Sequence, residues 1–283
     1  MENWKTYDDK YINIDGINTR FWEIGTGNKY LLFIHGLGGA AEEWVFNIPY
    51  FEDKYHILAV DLPGQGKSEK PDISYTYEFY VNFINNFIHK LNVNLVTIIG
   101  HSTGGLAALL FTFKHFEKVA NLVLISPAWT KKYGFLNRLP TIPLIGEILM
   151  QPPSSYSLVK KSMKALTYYN FDLPLEIIKR AYEVYNSSGY IKSLLSYLRN
   201  YLNIFGLSRM GIKLFNNLEK NINFIEKPVL LFWGKEDKIV PLKYGKYLLN
   251  RIKNLKYHEI ENCGHNPHWE ISEEFNKAVK AFL

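Results

Sequence analysis

The stretch IIGHSTGGLAALL, residues 98–110, places a serine among glycines between two apolar runs. The spacing Gly100-x-Ser102-x-Gly104 suits a strand that reverses sharply into a helix and presents the serine hydroxyl above the sheet edge. Alone, three fixed residues recur by chance and such turns often serve only close packing; LVTII before and LAALL after give the pattern its weight. A serine hydroxyl is a poor nucleophile until a base takes its proton, and the base needs a carboxylate to fix its tautomer. Of eight histidines, His265 in ENCGHNPHWE follows the last strand-like run and is the expected base. His268, three residues on, competes with it but reads as part of the next helix start. His101 on the sharp turn is expected to point elsewhere, and His35 to shape a turn by hydrogen bonding. WGKEDKIVP offers two acids after a buried strand: Asp237 is the expected partner of His265, with Glu236 left to solvent. The chain order Ser102, Asp237, His265 is that of a triad built on a strand-turn-helix elbow.

Acyl transfer also needs donors for an oxyanion. The Thr103 N–H at the helix start is one. FIHGLGGAAEEW supplies a glycine-rich loop after an early strand, with Leu37 N–H the first candidate for the second donor and Gly38 N–H the next. A phosphate cradle is the poorer account of that loop, because neither G-x-x-x-x-G-K-[ST] nor G-x-G-x-x-G occurs there.

These residues need a scaffold. YINI and INTRFWEIG flank Asp15-Gly16 and read as an opening antiparallel hairpin. KYLLFIHG, YHILAVDLPG, NLVTIIGHS, ANLVLISPA and KPVLLFWGKED are compact apolar runs of the kind buried on both faces of a parallel sheet. LKYHEIENCGH also reads as a strand. Amphipathic stretches alternate with them: residues 75–91 put Phe79, Phe83, Phe87 and Leu91 on one helical face, LAALLFTFKHF follows the serine, and ISEEFNKAVKAFL closes the chain. The alternation predicts a doubly wound α/β sheet with helices on both faces. Between about residues 127 and 222 the rhythm breaks into a lysine-, tyrosine- and proline-rich region with helix-like LEIIKRAYEVY and IKSLLSYLRNYLNIF. The expected division is a core of residues 1–126 and 223–283 with a helical lid of residues 127–222, since connections this long are usually functional. Within the lid, LPTIPLIGEILMQPP (residues 139–153) is apolar enough to line an acyl pocket or touch lipid, with burial of its apolar residues against the core the first expectation. Trp129, Tyr133, Phe135, Tyr168 and Tyr169 are candidates to shape the substrate pocket.

The five motifs HGLGG, DLPGQGKS, GHSTGG, WGKEDKIVP and GHNPHWE, in this order and spacing, resemble the α/β-hydrolase family over nearly all of the chain outside residues 127–222. The resemblance implies an eight-stranded, mostly parallel sheet with an antiparallel second strand and a variable cap after the sixth. It makes Ser102 nucleophile, His265 acid–base and Asp237 its orienter, leaves Asp61 in a structural turn, and implies no cofactor and no metal. Serine at 102 departs from epoxide hydrolases and haloalkane dehalogenases, which use aspartate. HGLGG and GHSTGG depart from the HGGPG and GGSWG of proline iminopeptidases. Meta-cleavage C–C hydrolases share the elbow and the Asp and His placement but often carry HGxGPG, whose proline is absent here. The chain is most similar to capped carboxylesterases and monoacyl lipases. The first expectation is therefore hydrolysis of short or medium acyl esters through an acyl-enzyme. A C–C bond or lactone hydrolase with the same triad comes second, and a ligand sensor with little turnover third.

Composition bounds these readings. The 283 residues are 47% hydrophobic and 21% charged, ordinary for a globular chain. The net charge of +6 is spread through interleaved lysines and acids, with no basic stripe, which argues against nucleic acid as partner. One cysteine, Cys263, excludes an internal disulfide. The charged start lacks an apolar core and no run is long enough to span a bilayer, so a cytoplasmic protein acting on a small-molecule ester is expected, with a homo-oligomer left open.

Overall fold

The computed structural model describes residues 5–129, 138–168 and 172–283. Asp15 and Gly16, both at positive φ (52° and 88°), turn β1 (Lys10–Ile14) onto β2 (Ile17–Ile24) with Ile14 opposite Ile17. Then come β3 (Tyr30–Ile34), β4 (His56–Val60), β5 (Val96–His101) and β6 (Val119–Ile125). After the inserted segment, which carries the short antiparallel pair β7 (Leu202–Asn203) and β8 (Gly206–Leu207), β9 (Val229–Gly234) and β10 (Leu255–Ile260) complete the sheet. Its order is β1-β2-β4-β3-β5-β6-β9-β10, antiparallel at β1-β2 and β2-β4 and parallel from β4 onward. The eight-stranded, mostly parallel sheet read from the sequence is therefore present.

The period-2 alternation of the strands divides the core in two. Leu32, Ile34, Leu58, Val60, Ile98, Leu122, Leu124 and Leu231 face one side, against α1 (Tyr77–Lys90) and α2 (Ser102–Lys114). Leu31, Phe33, Ile57, Ala59, Ile99, Val123, Ile125 and Phe232 face the other. With both faces covered, every residue of β5 and β9 is buried, which explains runs without polar alternation. Thr76 caps α1, its Oγ1 accepting the Phe79 N–H at 3.0 Å. The buried face of α1 is Tyr77, Tyr80, Val81, Phe83, Ile84, Phe87 and Ile88, so the expected stripe is rotated: Phe79 is only partly buried.

Between β6 and β9 lie α3 (Ile145–Leu149), α4 (Tyr156–Lys164), α5 (Leu175–Tyr185), α6 (Tyr190–Tyr201) and α7 (Arg209–Asn221). The last part of the sheet carries α8 (Lys243–Leu249), the one-turn α9 (Pro267–Glu270) and α10 (Ser272–Phe282), whose Phe275 and Val279 close the second core face. The expected burial of residues 139–153 is only partial: Thr141 and Gly146 are buried, but Leu144 is 77% and Ile148 71% exposed, α3 being a five-residue helix that packs on the turn at residues 139–141 and on α6. Among the described residues no helix is long and apolar enough to cross a membrane.

Candidate active site

Ser102 stands where β5 passes into α2, at φ +49° and 8% exposed. A non-glycine residue held there costs roughly 1–3 kcal/mol of strain and persists only where its surroundings over-determine it. The surroundings do: the Ser102 carbonyl accepts the Ala128 N–H at 2.9 Å, and glycines let the elbow close. A Cβ at position 100 would lie 2.8 Å from the Gly104 carbonyl oxygen; one at 104 would lie 2.4 Å from that of His35.

His265, in the loop after β10, accepts the Ser102 hydroxyl at Nε2 (3.0 Å) and donates from Nδ1 to Asp237 Oδ2 (2.8 Å). Asp237 follows β9, and its Oδ1 accepts the Ile239 and Val240 N–H groups at 2.8 and 2.9 Å, which fixes the carboxylate. Burial pulls the His265 imidazole below the usual histidine range against the upward pull of Asp237, so the ring stands ready as a neutral base. A hydroxyl, imidazole and carboxylate in this chain can move a proton off the oxygen as it attacks a carbonyl.

His268 lies in α9, fully buried, with Nε2 3.5 Å from Glu43 Oε1 and not on Ser102, so it does not take the place of His265. Burial pushes its ring down to about 4. His35 shapes the turn as expected, with Nδ1 at 2.7 Å from the Gly36 carbonyl and Nε2 accepting the Leu62 N–H at 3.0 Å. Glu236 is not simply solvated: its Oε2 accepts the Cys263 N–H at 2.9 Å and ties the base loop to the loop after β9. Asp61 is buried in its turn, accepting the Ala41 and Lys67 N–H groups at 2.7 Å each and pairing with Arg20 at 3.0 Å.

The oxyanion donors divide. Among the described residues the Thr103 and Leu37 N–H groups have no acceptor, and both residues line the cavity beside Ser102. The Gly38 N–H does not remain available: Gln65 Oε1 accepts it at 2.5 Å, an acceptor 27 residues away that no local pattern announces. Tyr190 of α6 donates to the Gly38 carbonyl at 3.1 Å, so the insertion itself steadies this loop.

The cavity over Ser102 has a volume of about 320 Å³. Its floor comes from Gly36–Ala40, Ser102, Thr103 and His265; its walls come from Met163, Leu166, Ile177, Val184, Tyr185, Tyr197, Leu198 and Tyr201 of the insertion, with Ile239 and Val240. The expected pocket residues fare poorly. Trp129 is buried against Phe215 and Tyr247 and does not reach the cavity wall. Tyr168 is 45% exposed, its N–H donating to Glu270, and is likewise outside the wall. Tyr133, Phe135 and Tyr169 lie outside the described residues. Sequence reasoning missed Arg180, the one arginine or lysine in the wall among the described residues. Its signal was an arginine on the apolar stripe of α5, beside Ile177, Ala181 and Val184. Arg180 pairs with Glu42 and with Glu176, both at 3.3 Å. Glu43, His101 and His268 are the one group among the described residues whose donor atoms crowd within 4.8 Å. Two donors on one tetrahedral zinc stand roughly 3.3 Å apart, from bonds of about 2.0 Å. The 2.8 Å between Glu43 Oε1 and His101 Nδ1 is shorter than that.

A strained serine on a strand-helix elbow, backed by an imidazole and a buried carboxylate, defines a serine-dependent hydrolase on an α/β sheet. A family model described as alpha/beta hydrolase fold matches residues 29–271, and the chain belongs to that family. It is 30% identical over 290 residues, covering 98% of this chain and 91% of the other, to a 2-hydroxy-6-oxo-6-(2'-aminophenyl)hexa-2,4-dienoic acid hydrolase of Metapseudomonas resinovorans. Its fold is similar to a meta-cleavage product hydrolase of Pseudomonas fluorescens IP01 (TM-score 0.79, 23% identity, 96% of each chain). It is similar also to a carboxylesterase of Bacillus subtilis (TM-score 0.79, 18% identity, 99% and 92% of the chains).

Proposed function

We propose that the chain hydrolyses a C–C bond next to a ketone in a dienoate-type substrate, with Ser102 as nucleophile, His265 as acid–base, Asp237 as its orienter and the Leu37 and Thr103 N–H groups as oxyanion donors. The reading that the sequence ranked second thus moves ahead of the ester hydrolase. The observation that carries it is the match over 98% of the chain to a dienoic acid hydrolase. The Arg180 guanidinium in an otherwise largely apolar wall supports it, as a fork that suits a substrate carboxylate. Ser102 Oγ adds to the ketone carbon while His265 takes the hydroxyl proton, and two N–H groups hold the resulting oxyanion. The C–C bond then breaks with its electron pair leaving on the dienoate fragment, which His265 protonates. Water, deprotonated by the same ring, releases the carboxylic acid from Ser102. Residues 127–222 act as the cap that closes the cavity through α5 and α6.

The second reading, carboxylic ester hydrolysis, is favoured by one feature: Glu42 and Glu176 already pair with Arg180, which suits a neutral substrate. The two are separated by kcat/KM on 2-hydroxy-6-oxo-6-(2'-aminophenyl)hexa-2,4-dienoate, followed by loss of its conjugated absorbance, against p-nitrophenyl acetate and butyrate. The dienoate is expected to lead by about 100-fold or more, a difference of roughly 3 kcal/mol in transition-state binding, and Ser102→Ala to abolish both activities. Faster turnover of the esters reverses the order, and no turnover of either leaves a ligand sensor.

A further inference from the structure

Behind the triad lies a buried cluster that the reaction as written does not use. Glu43, in the one-turn helix Ala41–Trp44, is almost wholly buried, as are His101 and His268. Glu43 Oε2 accepts the N–H of Gly36, which begins the loop bearing the Leu37 donor, at 3.1 Å. Its Oε1 stands 2.8 Å from Nδ1 of His101, the residue before Ser102, and 3.5 Å from His268 Nε2. Its backbone carbonyl accepts the Trp269 indole N–H at 2.5 Å. The far side of the His101 ring reaches the base: Nε2 lies 3.0 Å from the His265 carbonyl oxygen, and the two rings are 4.7 Å apart between centroids.

We propose that Glu43 is a positioning residue: one buried carboxylate that, through a charged His101, sets the register of the oxyanion loop, the serine elbow and the base loop. Three segments far apart in sequence, around residues 36, 101 and 265–269, meet on this side chain. With a carboxylate oxygen 2.8 Å from Nδ1 and a carbonyl oxygen 3.0 Å from Nε2, a ring carrying a proton on each nitrogen faces an acceptor at both, the Glu43 contact being an ion-pair distance and not an aligned hydrogen bond. Burial works against the charge on Glu43, but His101 and then His268 outweigh it and hold the carboxyl well below the usual range. The other groups facing His101 are the His265 and His268 rings, each 4.7 Å away between centroids. Near His265 the Glu43 charge favours the imidazolium that forms when Ser102 attacks and His101 opposes it more strongly, so the pair acts by position and not by added charge.

The proposal rests on Ser102 and His265 being nucleophile and base, so its test reads that chemistry without the natural substrate. The measurement is the second-order rate of Ser102 labelling by a fluorophosphonate in Glu43→Gln, His101→Gln and the double variant. Glutamine at 43 keeps the acceptor for Gly36 and removes only the charge. Each single variant is expected to label about 100-fold more slowly, the scale of a small misplacement of a reacting group. The double variant is expected to be no slower than the slower single, because the pair fails as a unit. Labelling of Glu43→Gln within about twofold of wild type, or losses that multiply, overturns the proposal. Labelling that survives Ser102→Ala overturns the nucleophile assignment and this proposal together; labelling lost there but unchanged in Glu43→Gln overturns this proposal alone. Should the variants not fold, the nitrogen and proton resonances of the His101 ring in the wild-type protein decide: protons on both nitrogens at neutral pH support it, and a neutral ring overturns it.

Discussion

Gly104→Ala tests whether the elbow and the oxyanion loop are held by steric fit. The new Cβ would lie 2.4 Å from the His35 carbonyl oxygen and 2.5 Å from that of Ile34. Real Cβ contacts do not fall below 3.0 Å, so at least 0.6 Å of movement is required (3.0 minus 2.4). Both obstacles are backbone, so no side chain can swing aside: the start of α2 must separate from the end of β3. The first carries the Thr103 N–H and the second leads into the Leu37 N–H, so the same movement spreads the two proposed oxyanion donors. Overpacking of this kind costs about 1–3 kcal/mol of stability. Losing the use of one donor costs about 3 kcal/mol of transition-state stabilisation, or about 100-fold in kcat. The assay is the urea midpoint together with kcat on whichever carbonyl substrate the wild type turns over. Gly16→Ala is the control: its Cβ would meet nothing within 4 Å although φ is +88°, so it should lower the midpoint slightly and leave kcat alone. A Gly104→Ala protein with wild-type kcat would refute the claim that this contact sets the donors.

The pH dependence of activity and of stability follows from two buried rings. His265 must be neutral to accept the Ser102 proton, and its folded value lies below the ordinary 6.5, so activity should persist below that pH and fail as pH drops through the lowered value. A kcat/KM profile with its acid limb above pH 7 would contradict this. For His268, the unfolded ring takes up a proton near 6.5 while the folded ring resists until about 4. That stabilisation is fully present above pH 6.5 and is lost as pH falls toward 4; the gap of about 2.5 (6.5 minus 4) corresponds to about 3 kcal/mol. Urea midpoints at pH 7.5 and 4.5 measure it, and His268→Phe should flatten the slope between them.

Local pattern made the sheet and the proposed reacting trio legible. Apolar runs buried on both faces, each ending in glycine, proline or an acid, need nothing beyond their own composition to read as parallel strands. The elbow, Asp237 and His265 could be placed because each follows such a run, and the loops after parallel strands gather at one edge of the sheet. The ranking of ester over C–C cleavage leaned on a single absent proline, and a loop residue says little about the wall opposite it. What tertiary structure alone decided are contacts between residues far apart in the chain. Gln65 takes the Gly38 amide across 27 positions, and Glu43 meets His101 and His268. The cavity wall combines residues 36–43, 163–202 and 239–269, leaving Trp129 behind it and Arg180 within it. Hydrophobic periodicity is a property of neighbours and can be read along a chain. A hydrogen bond or ion pair depends on angstrom distances between side chains, and those exist only once the layers have packed.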